Sequence, residues 1–197
     1  AYAHLQSGQD LYDHYPEEQW DLYKYTPTFA VTFGVFAIFP DVVGLFLWNL
    51  VNVLLLFWGI YLLPRLNKKQ KAGVCFILIF ELLTAIQNEQ SNGLMAGLLL
   101  LTFVFLERKK LFWAALCIVF SAYIKLFGIV GLILFLFYPE KIKAAAYILL
   151  WGLLCFVLPL FFIDWQNYLM QLQSFSNMLQ NDHSISYGYS VMGWLHS

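Results

Sequence analysis

Residues 73–106 read GVCFILIFELLTAIQNEQSNGLMAGLLLLTFVFL. Both flanks are apolar; the middle, Gln87-Asn88-Glu89-Gln90-Ser91-Asn92-Gly93, is not. Crossing the hydrocarbon core of a bilayer takes about 20 apolar residues, each rising 1.5 Å in a helix. The stretch is too long for one straight span and short for two. As a single helix it would hold its polar centre deep in hydrocarbon. A charge there costs roughly 2.5–3.5 kcal/mol even on the lenient insertion scale. As a hairpin of two short helices it keeps the polar residues at one membrane face.

Residues 111–138 repeat the shape, with Lys125 near their centre. Basic clusters flank both stretches: Arg65/Lys68/Lys69/Lys71, Arg108/Lys109/Lys110 and Lys141/Lys143. A hairpin returns its two ends to the same side, so all three clusters can be cytoplasmic, as the positive-inside rule favours. Single spans would put at least one cluster outside. The sequence therefore predicts two hairpins, with residues 87–92, Lys125 and the tail after Asp164 on the extracytoplasmic face.

The rest of the chain agrees with a membrane environment. Hydrophobic residues make up 61% and charged residues 12%, against roughly 25% charged in soluble domains. Residues 42–63 and 144–163 each read as a clean span. Asn49 and Asn52 are the strongly polar interruptions of the first, close to one helical face. Residues 28–39 make about half a span between Pro27 and Pro40, and are expected to dip in rather than cross. Such half-helices persist when packed on protein or lining a cavity. Residues 1–27 carry Asp10, Asp13, Glu17, Glu18 and Asp21 against Lys24. They read as an extracytoplasmic amphipathic loop, and residues 28–197 as membrane helices with short loops. The expected fold class is all-α: a polytopic transmembrane bundle with short, broken helices. The chain reads as a piece of a longer protein, with membrane helices expected on both sides.

Composition excludes some partners. A net charge of −1 with no basic patch in a polar context gives no reason to expect nucleic acid. Cys75, Cys117 and Cys155 lie in apolar runs and read as small buried hydrophobes. Their spacing fits no metal site, and neither metal nor cofactor is expected. Glu81 falls inside a helix and should face the bundle, protonated or paired.

Four groups on the proposed outer face could carry chemistry. Asp10 and Asp13, near Tyr12, Tyr23 and Tyr25, suit sugar binding and general-base work; an interfacial anchoring loop is the plainer alternative. Gln87, Asn88, Gln90 and Asn92 both donate and accept, which suits a hydroxyl-rich ligand; a polar turn at Asn92-Gly93 is the alternative. Lys125 needs an anion, such as a lipid-linked phosphate, or a snorkelling route to water. His183, in Asp182-His183-Ser184, lies in a polar, aromatic tail. Lys125 is expected to line a cavity with Gln90, Asn92 and Tyr25, open sideways to lipid.

Tyr23-x-Tyr25-x-Pro27 before a short apolar run resembles the tyrosine-proline signature of glycosyltransferase family 87. Those are GT-C-class membrane enzymes, mannosyltransferases among them, that use polyprenyl-phosphate sugars. Gln90-x-Asn92 opening a helix, then Arg108-Lys109-Lys110, then Ile124-Lys125, resembles that family's order and spacing. Gly8-x-Asp10-Leu11-Tyr12 resembles the end of its first outer loop. The resemblance implies a hexosyltransferase, possessing a polyprenyl-phosphate-linked donor and a glycan or glycolipid acceptor. It implies a multi-pass protein of the bacterial plasma (inner) membrane, within the cell envelope. It also places the family's presumed catalytic Asp upstream of Gly8, at a position before Ala1. Asp10 and Asp13 are the nearest carboxylates here. The rival readings are a transporter, a flippase or an assembly subunit, since interrupted helices also mark transport sites, and a polymer ligase with a lipid-linked donor.

Overall fold

The computed structural model describes residues 1–18 and 22–181. His183 lies outside them. The described residues are helical and contain no strand. They form a bundle with a smaller layer covering one end.

Six segments build the bundle: α3 (Asp41–Leu62), α4 (Lys68–Gln87), α5 (Asn92–Glu107), α6 (Leu111–Ile124), a 3₁₀ helix (Leu126–Phe137) and α7 (Lys141–Val157). Among the described residues three helices are long and apolar enough to cross a membrane: Asp41–Leu62, Lys68–Gln87 and Lys141–Phe161, the last counting a 3₁₀ turn after α7. Their outer faces are bare. Ile77 is 73% exposed and Leu149 73%. An exposed apolar surface of this extent belongs against lipid, and the chain is a membrane protein.

Both expected hairpins form. In the first, the arm before the polar residues is a full 20-residue helix, which corrects the expectation of two short arms. Helix α4 extends back past Gly73 to Lys68, because a lysine near a helix end can reach water along its own stem. In the second, the chain reverses at Lys125, which is extended (φ −132°, ψ 130°), and returns as 12 residues of 3₁₀ helix. A 3₁₀ helix rises about 2.0 Å per residue, so 12 residues recover about 24 Å; α-helical winding would give about 18 Å. The tighter coil lets a short arm reach the level from which α6 began. A Cβ on Gly128 would meet the Ser121 backbone at 2.6 Å. The two arms lie in backbone contact.

The hairpins sort the charges by end. Arg65 Nη2 lies 3.1 Å from Glu107 Oε2. Tyr138 donates to Glu107 Oε1 at 2.6 Å, and Lys71 Nζ donates to the Tyr61 carbonyl. The three basic clusters thus share one end of the bundle. At the other end Trp48 Nε1 donates to the Glu89 carbonyl at 3.2 Å, and Lys125 Nζ donates to Asn92 Oδ1 at 3.1 Å.

The covering layer sits on this second end. Helix α2 (Pro27–Ala37) is capped by Thr26, whose hydroxyl accepts from the Phe29 N–H. At 11 residues it rises about 16 Å, half a crossing. It packs on Trp48 through Phe29, Phe33 and Phe36. Thr28 Oγ1 donates to the Cys155 carbonyl at 2.9 Å. Helix α1 (Tyr2–Gln6) lies over α2, with the Tyr2 ring seated on Gly34. Helix α8 (Trp165–Asn181) starts at Asp164, whose carboxylate accepts from the Gln166 and Asn167 N–H groups. Gln171, fully buried, ties α8 to the amino-terminal segment. It accepts from the Leu11 N–H at 3.0 Å and donates to the Gln9 carbonyl at 2.8 Å. Leu5, Leu11, Tyr12, Ala30 and Tyr168 form the core of this layer.

Asn52 explains why α5 begins where it does. It is 2% exposed; its Oδ1 accepts from the Leu94 N–H at 2.9 Å and its amide donates to the Trp48 carbonyl. A side chain of α3 thus satisfies an open donor in the first turn of α5. Asn52→Leu should destabilise the protein by about 1–3 kcal/mol, the cost of a buried N–H left unpaired. Thermal unfolding in detergent measures it. Cys117 and Cys155 are buried and Cys75 half-buried, all three free.

Candidate functional site

The tips of the two hairpins meet. The α4–α5 turn is closed by a bond from the Gln90 N–H to the Ala85 carbonyl at 2.8 Å and one from Glu89 to Ile86 at 3.2 Å. Glu89 is left-handed, with φ 54°. This is a Schellman ending, and it turns Gln90 and Asn92 back over the helix end. Gly93 faces Leu82, more than a turn before α4 finishes. The start of α5 is therefore recessed.

Asn92 is the hub of that recess. Its amide nitrogen lies 2.9 Å from Gln90 Oε1 and 3.2 Å from Glu81 Oε1. Its oxygen accepts from Lys125 Nζ at 3.1 Å. One side chain therefore joins a carboxylate of α4 to an ammonium from the other hairpin. Lys125 also lies 5.5 Å from the Tyr25 ring centre and 5.9 Å from that of Phe127. Both distances suit cation–π attraction. Among the described residues no carboxylate stands within salt-bridge distance of Lys125.

Tyr25 enters from the covering layer. Its hydroxyl is 3.5 Å from Ser91 Oγ, and Ser91 is fully buried. Thr26 Oγ1 donates to the Tyr123 carbonyl, two residues before Lys125. Tyr12 donates to the Tyr25 carbonyl at 2.8 Å. Tyr12, Tyr23, Tyr25 and Phe29 form a continuous ladder of ring contacts. Burial pushes the Tyr12 and Tyr23 phenols well up from their ordinary value, helped by their tyrosine neighbours. Both phenols stay protonated at neutral pH. The Tyr23 hydroxyl and Asn49 Oδ1 are buried without a hydrogen-bond partner among the described residues.

Four of the residues singled out in the sequence come together here: Tyr25, Gln90, Asn92 and Lys125. Others do not join them. Asn88 donates to the Thr84 carbonyl at 2.8 Å and closes the end of α4; Gln87 is exposed beside it. Asp10 accepts from the Tyr12 N–H at 2.9 Å and from the Ser174 hydroxyl, so its carboxylate holds the amino-terminal segment to α8. Asp13 is exposed. Glu81 corrects an expectation: it is exposed rather than turned into the bundle, and its partner is the Asn92 amide. Periodicity gave no sign of this. The recess of α5 behind the tip of α4 brings Glu81 within reach, and that offset is a tertiary property. A cavity of about 1020 Å³ lies at the opposite, basic end. A second, of about 470 Å³, is apolar and lies between α6, the 3₁₀ helix and α7. No group of three or more metal-ligating side chains occurs among the described residues.

Comparison with known proteins places this arrangement. No curated protein and no solved structure matches the chain. A model of glycosyltransferase family 87 matches residues 23–195. The match takes in Tyr25, the α4–α5 turn and Lys125, and begins after Gly8-x-Asp10-Leu11-Tyr12. It covers most of the chain, and the protein belongs to glycosyltransferase family 87, a family of sugar-transferring enzymes.

Proposed function

We propose that the protein transfers a hexose, with mannose a candidate, from a polyprenyl phosphate carrier to a glycan or glycolipid acceptor outside the cytoplasm. In this reading it is a multi-pass protein of the bacterial plasma membrane, GT-C-like in organisation, and the three basic clusters face the cytoplasm. The observation that carries the proposal is Lys125: a half-buried ammonium between two hairpin tips, held by an amide oxygen and two aromatic rings, with no carboxylate among the described residues at salt-bridge distance.

A phosphate supplies the missing charge. Attraction between ammonium and phosphate strengthens where apolar walls exclude water. As the sugar–phosphate bond breaks, negative charge grows on the leaving phosphate, and a fixed cation there favours the transition state over the ground state. Gln90 and Asn92 offer amides to sugar hydroxyls, and the Tyr25 ring forms one wall. Helices α5 and α6, at 16 and 14 residues, rise about 24 and 21 Å against about 33 Å for α3. Their tips are set back from the end of α3, where α2 packs on Trp48; a lipid tail would run along the short helices. The acceptor hydroxyl needs a base. Asp10 and Asp13 stay its candidates; Asp13 is the more available, because Asp10 is engaged by Ser174 and the Tyr12 N–H.

The test is donor class. The complete protein in nanodiscs should transfer labelled hexose from a polyprenyl phosphate hexose and not from the matching nucleotide sugar. Transfer from the nucleotide sugar with none from the lipid-linked donor would overturn the proposal.

A further inference from the structure

At the basic end, remote from Lys125, the last turn of α3 and the first turns of α4 stand apart. The cavity of about 1020 Å³ opens between them, backed by the end of α5. It exceeds the usual range for small-molecule pockets, roughly 300–1,000 Å³. Much of its lining is apolar, with Phe57, Ile60 and Cys75 among it. Lys68, Lys71 and Arg108 line it as well, Lys68 and Arg108 being exposed. Glu107 is the acidic residue lining it, and that carboxylate is already taken by Arg65 and Tyr138. Lys71 is fixed in place by its bond to the Tyr61 carbonyl and by the Tyr61 ring, 5.6 Å away.

We propose that this cavity binds an anionic diacyl phospholipid of the leaflet at the basic end. The headgroup phosphate would meet Lys68, Lys71 and Arg108, and the acyl chains would lie along the apolar walls of α3 and α4. Charge complementarity selects the headgroup: three cations line the cavity and the acid among them is engaged by Arg65 and Tyr138. A soluble anion would leave the apolar depth wet. A partner helix apolar enough to fill the depth would bury those cations unpaired, at a cost a lipid phosphate removes. The sugar carrier is a poor fit, because its phosphate is assigned to the other end, a bundle length of about 24 Å away along α5. The occupant would also give α4 a surface to pack on. That helix buries only Leu82 and Ala85, with Val74, Cys75, Leu78 and Ile86 partly covered, so the lipid should stabilise the folded state by mass action. The choice of a diacyl lipid over the sugar carrier rests on the proposed seat of the carrier phosphate at Lys125; the cavity and its cations do not.

The experiment uses the complete protein in mild detergent. Phosphatidylglycerol, phosphatidylcholine, inorganic phosphate and a polyprenyl phosphate are each titrated, with binding read by native mass spectrometry. Alkylation of Cys75 by a membrane-permeant maleimide gives a second readout, since Cys75 lines the cavity. Phosphatidylglycerol should bind and slow Cys75 alkylation; phosphatidylcholine and inorganic phosphate should do neither. Each cation removed should weaken binding about fivefold, so Lys68→Gln/Arg108→Gln should lose about 25-fold. Lys141→Gln/Lys143→Gln, at the same end but outside the cavity, should lose nothing. Equal losses in the two double variants would overturn the site, as would equal binding of phosphatidylcholine or stronger binding of the polyprenyl phosphate. Absence of Cys75 protection in the parent protein would overturn it as well.

Discussion

Lys125→Met should lower transfer from the lipid-linked donor by about 10²–10³-fold, the usual loss when a donor to developing negative charge is removed. The side chain keeps most of its length and loses its charge. Lys125→Arg should retain part of the activity, because the charge remains while the compact ammonium becomes a planar fork. Lys109→Met is the control. Lys109 lies at the basic end, in the left-handed position that closes α5, with φ 58°. It should be mild. The effect of Lys125→Met should fall mainly on kcat, because charge on the phosphate grows toward the transition state. If Lys125→Met and the control are equally active, Lys125 is a snorkelling lysine and the phosphate lies elsewhere.

The second large effect is structural. Helices α3 and α5 form the tightest pair in the bundle, and Gly93-x-x-x-Gly97 lines their contact. A Cβ on Gly97 would sit 2.7 Å from the Leu55 carbonyl carbon and 2.9 Å from the Leu56 nitrogen. Both are backbone atoms, so no side-chain rotation relieves the clash. Small residues spaced four apart let membrane helices approach closely. Gly97→Val should therefore push α5 away from α3 and destabilise the protein by about 3 kcal/mol or more, the upper part of the range for overpacking. It should also lower activity, because Asn92 and its hold on Lys125 stand at the start of α5. Gly73→Ala is the counterpart. Nothing lies within 4 Å of a Cβ there, and helix propensity alone predicts a gain of up to about 1 kcal/mol. Thermal unfolding of the two variants side by side measures the contrast; similar midpoints would contradict the account of this interface.

The two hairpins and the placement of the basic clusters were legible because they follow from where charge can sit in a bilayer. Lys125 and the amides of the α4–α5 turn could be paired for the same reason: both are polar interruptions that must share a face. Other features depend on helices meeting in space. The length of α4 was obscured at its start, where the basic residues before Gly73 read as a loop; the Asn67–Gln70 capping box lets the helix begin at Lys68. The 3₁₀ winding after Lys125 follows from the depth the arm must recover and from the contact of Gly128 with Ser121. Asn52 looked like one of two blemishes in a span, and its use became visible only with Leu94 beside it. The locking of Asp10 to Ser174 joins residues 164 positions apart, which local pattern does not show.

The central claim is that Lys125 binds the phosphate of a lipid-linked sugar donor. The most direct measurement is a structure of the complete protein with a non-transferable polyprenyl phosphonate analogue of that donor. The account predicts a phosphonate oxygen at charge-assisted hydrogen-bond distance from Lys125 Nζ, about 2.7–2.9 Å, with Asn92 released toward the sugar. A phosphonate seated among the basic clusters at the opposite end, with Lys125 still bonded to Asn92, would contradict it.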